Sequence, residues 1–269
     1  MPSRITERIR TETAAGRKAM GIFVTSGFPD PSVTGDVLRA VDEGGADFIE
    51  LGMPFSDPLA EGLPIQQSSE RALAAGASMK TTLAAAEKFR AGSNTPLLLM
   101  GYLNPVIRYG VGNFFTAAAS SGVDGVILPD LPPSERDLVS GAADSAGVDV
   151  VHLIAPNTPD HRVRQVDEVS SGFVYAVSIT GLTGTGHGST EAVNAYLERA
   201  RSLVTRNPLL VGFGISSHQD AARLSRHTDG FIVGSAVIRL VEQLYSDDSR
   251  TPKDRFGQIA SFVRRLKHG

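Results

Sequence analysis

Short, continuous apolar runs recur along the chain at intervals of about 20 to 45 residues, each too brief for a helix. They occupy residues 21–25, 48–51, 97–100, 125–128, 148–154, 173–177, 209–212 and 230–233. Most are apolar throughout rather than alternating, which is the pattern of parallel strands covered on both faces. Helical stretches lie between them. Residues 31–43 follow Asp30 and stop at Gly44-Gly45, a cap and a terminator. Residues 134–146 stop at Gly147 and 113–121 at Gly122, and 159–170 carries a proline in its first turn. Further helices are predicted over 191–204, 217–225 and 236–245, with two over 65–90 separated at Gly76. An additional helix is predicted at the N-terminus (5–15), and another at the C-terminus (253–268) beyond a polar linker.

Eight strands alternating with helices in this length predict an α/β fold, a (β/α)8 TIM barrel. It is expected as one domain over residues 1–269, with extra helices at the N-terminus, after the second strand and at the C-terminus. A doubly wound open sheet is the alternative. The eightfold count and the lack of a nucleotide fingerprint after the first strand weigh against it.

Composition narrows the chemistry. The formal net charge of −3 gives no basic field to draw nucleic acid or an acidic membrane, so an anionic ligand must be held locally. With no cysteine, disulfides, thiolate nucleophiles and cysteine metal sites are excluded. Six histidines are scattered without metal-ligand spacing, most reading as surface or helix residues, so no metal site is expected. No apolar run suits a signal peptide or a membrane span, and a cytoplasmic location is expected.

The candidate chemistry centres on the second strand, where an apolar run ends on Glu50. In a barrel this acid faces the C-terminal mouth, where catalysis sits, and apolar packing there raises a carboxyl pKa toward neutrality. The following Gly/Pro-rich loop carries Asp57 and Glu61. Either alone reads as a solvated charge, but a second carboxylate beside Glu50 can be pushed to a different pKa and a different role. The loops after strands seven (Gly212 to Ser217) and eight (Gly234, Ser235, Ala236) are built of small residues, as at barrel phosphate sites. The glycine-rich segment 179–188 after strand six reads as a lid, and its spacing does not fit a dinucleotide loop.

These residues resemble the tryptophan synthase alpha subunit family. The likeness rests on E-L-G-M-P-F-S-D-P over 50–58, Y-L-N-P over 102–105, P-D-L-P over 129–132, S-I-T-G-L-T-G over 178–184, G-F-G-I-S over 212–216 and G-S-A over 234–236. The resemblance implies a retro-aldol cleavage of indole-3-glycerol phosphate to indole and glyceraldehyde 3-phosphate, without metal or cofactor in this chain. It implies that Glu50 is the catalytic acid/base. The second catalytic acid, an aspartate in the family, falls on Glu61 here, one methylene longer. Phe23 and Tyr175 would lie beside the substrate, and Thr183 would position Glu50. Gly184, Phe213, Gly214, Gly234 and Ser235 would surround the phosphate. Asp57 would communicate with a beta subunit that carries pyridoxal phosphate, in an alpha2-beta2 heterotetramer. A stand-alone lyase and a degenerate, non-catalytic subunit are the alternatives.

Overall fold

The computed structural model describes residues 3–58, 61–177, 190–212 and 214–269. Its eight strands close into a parallel barrel in strict chain order, the last pairing with the first. They are β1 (Ala19–Thr25), β2 (Phe48–Gly52), β3 (Leu97–Met100), β4 (Gly125–Ile127), β5 (Asp149–Ile154), β6 (Val174–Val177), β7 (Leu209–Gly212) and β8 (Gly230–Val233). Every residue of β1, β2, β3, β4, β7 and β8 is buried, which is why those runs are apolar without alternation.

The helices form the outer layer: α1 (Arg4–Ala14), α2 (Thr34–Glu43), α3 (Leu63–Ala74), α4 (Met79–Arg90), α5 (Leu103–Tyr109), α6 (Val111–Ser120), α7 (Ser140–Ala146), α8 (Asp160–Val169), α9 (Thr190–Leu203), α10 (His218–Leu224), α11 (Ser235–Tyr245) and α12 (Pro252–His268). The barrel and the additional helices stand where the pattern predicts them: α1 at the N-terminus, a pair (α3, α4) where one helix would follow β2, and α12 at the C-terminus.

Three local differences have physical causes. Residues 31–33 and 133–138 form 3₁₀ turns ahead of α2 and α7, each opened by a proline that fixes φ but supplies no N–H. The helix α5 is not predicted from the sequence. Pro105 sits in its first turn, where a missing N–H costs nothing, and Gly110 at φ +90° separates it from α6.

Two devices fix the barrel beneath the site. The α1 side chains Ile5 and Ile9 are fully buried, and Ile5 Cδ1 would stand 2.8 Å from a Cβ on Gly125, so only glycine in β4 admits it. Asp47, just ahead of β2, is fully buried. Its Oδ2 accepts from the Met20 N–H (2.8 Å), and its Oδ1 pairs with Lys267 Nζ of α12 (2.8 Å) and Arg8 Nε of α1 (3.4 Å). Both ends of the chain are thereby bound to one carboxylate.

Candidate active site

Residues of a parallel sheet that stand opposite one another point the same way. Phe23, Glu50 and Leu98 are in register across β1, β2 and β3, and Leu153, Tyr175 and Leu210 across β5, β6 and β7. Below them Phe48 and Phe173 pack at 5.5 Å between ring centroids, and Phe173 meets Tyr175 at 6.1 Å. Glu50 therefore stands on an aromatic floor.

Two glycines make room for the site's aromatic walls. A Cβ on Gly52 would lie 2.5 Å from Phe23 Cζ, and one on Gly212 would lie 2.1 Å from Tyr175 Oη. No side chain fits at either position.

The result is a cavity of about 370 Å³ at the C-terminal end of the barrel. Of the residues singled out from the sequence, it brings together Phe23, Glu50, Glu61, Tyr175, Gly214, Gly234 and Ser235. Asp57 is exposed on the loop after β2 and does not line it. Thr183, Gly184 and Phe213, and the lid segment 179–188, lie outside the described residues.

Glu50 is fully buried, and neither of its carboxyl oxygens has a hydrogen-bond partner among the described residues. Burial pushes its pKa up to about 8, so the side chain holds its proton at neutral pH. The Tyr175 hydroxyl is held well above its usual pKa, first by burial and then by Glu50 and Glu61 once they ionise, and stays protonated. Glu61 is also buried and raised, again by desolvation. Its hydrogen bond from Tyr102 opposes that shift. Two carboxyls of unlike environment thus share one cavity: one protonated and without a hydrogen-bond partner among the described residues, one held by a phenol.

The phosphate-type loops follow β7 and β8 and line the same cavity. Gly234 is the N-cap of α11 and contributes no side-chain cap, so the first N–H groups of that helix open toward the cavity that Gly234 and Ser235 line. Gly214 adopts φ +74°, which only glycine takes readily. A Cβ on Gly234 would stand 3.3 Å from Ile65 Cδ1 and 3.4 Å from Phe23 Cβ, tight enough to disfavour any larger residue.

Sequence reasoning missed three features. Tyr102 donates from its hydroxyl to Glu61 Oε2 at 2.6 Å; the Y-L-N-P motif at the end of β3 was the signal available. Arg239, four residues beyond Ser235, lines the cavity, and nothing in the sequence sets it apart from other helix arginines. His152 is neither a surface nor a helix residue. It is buried on β5, with its pKa pushed down to about 4 by burial. No group of three or more His, Asp or Glu among the described residues is placed to hold a metal ion.

Comparison with known proteins agrees with this geometry. Residues 9–267 match the family model described as "Tryptophan synthase alpha chain". The chain is 43% identical over 267 residues to the tryptophan synthase alpha chain of Geotalea uraniireducens, covering 99% of this chain and 97% of that one. It is 40% identical over 266 residues to that of Roseiflexus castenholzii, covering 98% and 99%. Among solved structures, the tryptophan synthase alpha chain of Legionella pneumophila superposes with a TM-score of 0.86 at 34% identity, covering 99% of this chain and 98% of that one. A chain of the tryptophan synthase a2b2 complex of Pyrococcus furiosus superposes with a TM-score of 0.82 at 36% identity, covering 93% and 98%. The chain belongs to the tryptophan synthase alpha chain family.

Proposed function

We propose that this chain cleaves indole-3-glycerol phosphate to indole and glyceraldehyde 3-phosphate, a carbon–carbon lyase step of tryptophan biosynthesis. The observation that carries the reading is Glu50: a buried carboxyl with a pKa near 8 and no hydrogen-bond partner among the described residues, in one cavity with a phosphate-type rim. Protonated Glu50 gives its proton to indole C3. Positive charge then develops on the ring, and the Glu61 carboxylate accepts a hydrogen bond from the ring N–H and stabilises it. The Glu50 carboxylate next takes the proton of the adjacent side-chain hydroxyl. As the C3–carbon bond breaks, its electron pair returns to the ring, the aldehyde forms, and Glu50 regains its starting state.

Phe23 and Tyr175 flank the organic part of the substrate in this reading. Gly214, Gly234 and Ser235 hold the phosphate, with Phe213 contributing from the loop after β7, Gly184 from the segment after β6, and Thr183 orienting Glu50. The whole chain serves as a single domain.

The partner is a tryptophan synthase beta subunit, in an alpha2-beta2 assembly, and pyridoxal phosphate belongs to that partner. Support comes from the exposed large apolar side chains Leu63, Ile107, Tyr109 and Leu138. They follow β2, β3 and β4, and therefore stand on the face that carries the cavity, where Asp57 is also exposed. A cytoplasmic site of action fits this role, and no helix among the described residues is long and apolar enough to cross a membrane.

The test is indole release from indole-3-glycerol phosphate, with and without a beta subunit. Slow release that rises strongly on adding the partner is expected. Fast release by the chain alone would point instead to a stand-alone lyase, and no release with the partner bound would contradict the reading.

A further inference from the structure

We propose that Arg239 is a phosphate-binding residue of this site, its guanidinium supplying the counter-charge for the ester's dianion. The inference rests on the phosphate-ester reading above and assigns a residue that the sequence motifs do not include.

The charge balance of the cavity motivates it. Two of the lining residues are carboxylic acids, Glu50 and Glu61, and Arg239 is the one cation among the lining residues described. With Glu50 protonated, the Glu61 carboxylate of the proposed mechanism still opposes a phosphate dianion there, and backbone N–H groups offset it only through partial charges. The guanidinium adds a full positive charge at the same rim to balance it.

The placement follows from helix geometry. Arg239 lies four residues after Ser235 on α11, so the two share one helix face. Side chains in a helix lean toward its N-terminus. From this position the guanidinium leans back over the turn that carries Gly234 and Ser235. That turn is also where α11 has no side-chain cap, so an anion seated there meets the helix N–H groups and Arg239 together.

The side chain is also uncommitted. Other arginines are tied to carboxylates: Arg90 to Asp124, Arg199 to Asp160 and Arg201 to Asp229. Arg239 is exposed and forms no ion pair among the described residues. Its forked guanidinium matches phosphate oxygens bidentately, which a lysine cannot do.

The test uses the chain in complex with a tryptophan synthase beta subunit, comparing wild type, Arg239→Gln and Arg239→Lys. The readouts are steady-state kinetics on indole-3-glycerol phosphate and calorimetric binding of glycerol 3-phosphate. Arg239→Gln is expected to raise KM and the glycerol 3-phosphate Kd by roughly tenfold while kcat changes less than about twofold, and Arg239→Lys to recover part of the loss. Raising ionic strength should weaken ligand binding to wild type more than to Arg239→Gln. Wild type that binds and turns over while Arg239→Gln matches it in KM, Kd and salt response would overturn the role of Arg239 alone. Wild type that neither binds glycerol 3-phosphate nor releases indole would overturn the phosphate-ester reading and this inference with it.

Discussion

The Tyr102 hydroxyl donates to Glu61 Oε2 across 2.6 Å, joining the residue that follows β3 to the loop that follows β2. Tyr102 is itself well fixed. Its ring packs on Phe55 at 5.1 Å, and the next N–H, of Leu103, donates to the Asp130 carboxylate at 3.0 Å. The longer acid at position 61 therefore has a defined orientation: buried, with one oxygen held and its backbone carbonyl accepting from Gln66 Nε2 at 2.9 Å.

Tyr102→Phe is expected to lower kcat by roughly tenfold with little change in KM, since a hydrogen bond to a charged group is worth about 1.5–3 kcal/mol. Burial raises the Glu61 pKa and the Tyr102 bond lowers it. Removing the hydroxyl takes away the larger of the two influences that oppose burial, the other being a backbone hydrogen bond, so the carboxylate form needs a higher pH. The acid limb of the kcat profile should move to higher pH in the variant, and an unmoved limb would count against the pair.

Glu50 links activity to stability. Its folded pKa of about 8 lies above the ordinary value of 4.5. Between those values the native state holds a proton that the unfolded chain has released, so its contribution to stability is full below about 4.5, falls as pH rises and is lost above about 8. Glu50→Gln removes this dependence. Urea unfolding at pH 5 and pH 9 should show the variant gaining on wild type by roughly 4 kcal/mol at the higher pH. Turnover by wild type should fall over the same alkaline range, because the first step needs the protonated acid.

Gly52→Ala places a methyl 2.5 Å from Phe23 Cζ, between two buried strands with no slack. Destabilisation of about 1–3 kcal/mol and a raised KM are expected, as Phe23 moves into the cavity. Gly35→Ala is the control: nothing lies within 4 Å of its added methyl, on helix α2. That variant should match or exceed wild type by about 0.5–1 kcal/mol, by thermal unfolding, with unchanged kinetics.

Asp47→Ala removes a buried carboxylate that serves Met20, Arg8 and Lys267 together. A loss of about 3 kcal/mol is expected, because the Met20 N–H loses its partner and the mostly buried Lys267 ammonium keeps only the Gly45 carbonyl at 3.1 Å and Glu12 at 3.9 Å. KM at the opposite end of the barrel should be unaffected by this change. Denaturant unfolding and kinetics on one preparation check both parts.

Much of this architecture was legible in the sequence because burial on both faces leaves a plain mark. The run 209–212 is apolar throughout, and β7 has those bounds. Glu50 was legible for the converse reason, as an acid closing an otherwise apolar run. The loops at Gly234 and Ser235 were legible because small residues beside a helix start answer a steric demand, seen here in the 3.3 Å approach of Ile65. Features that depend on a partner distant in the chain were not. Tyr102 and Glu61 are 41 residues apart, and only the closed barrel brings them together. Buried His152 resembles any other histidine until β5 is packed, and α5 hides behind a proline that reads as a breaker unless its place in the first turn is known.

The central claim is that Glu50 moves the protons of carbon–carbon cleavage. The most direct measurement compares wild type and Glu50→Gln, each with a tryptophan synthase beta subunit, for single-turnover release of indole from indole-3-glycerol phosphate and for affinity toward the same ligand. The amide keeps the size of the side chain but neither gives nor takes the proton, so release should fall by at least about a thousandfold with ligand affinity within about threefold. Release at the wild-type rate from a folded, ligand-binding Glu50→Gln chain would contradict the account.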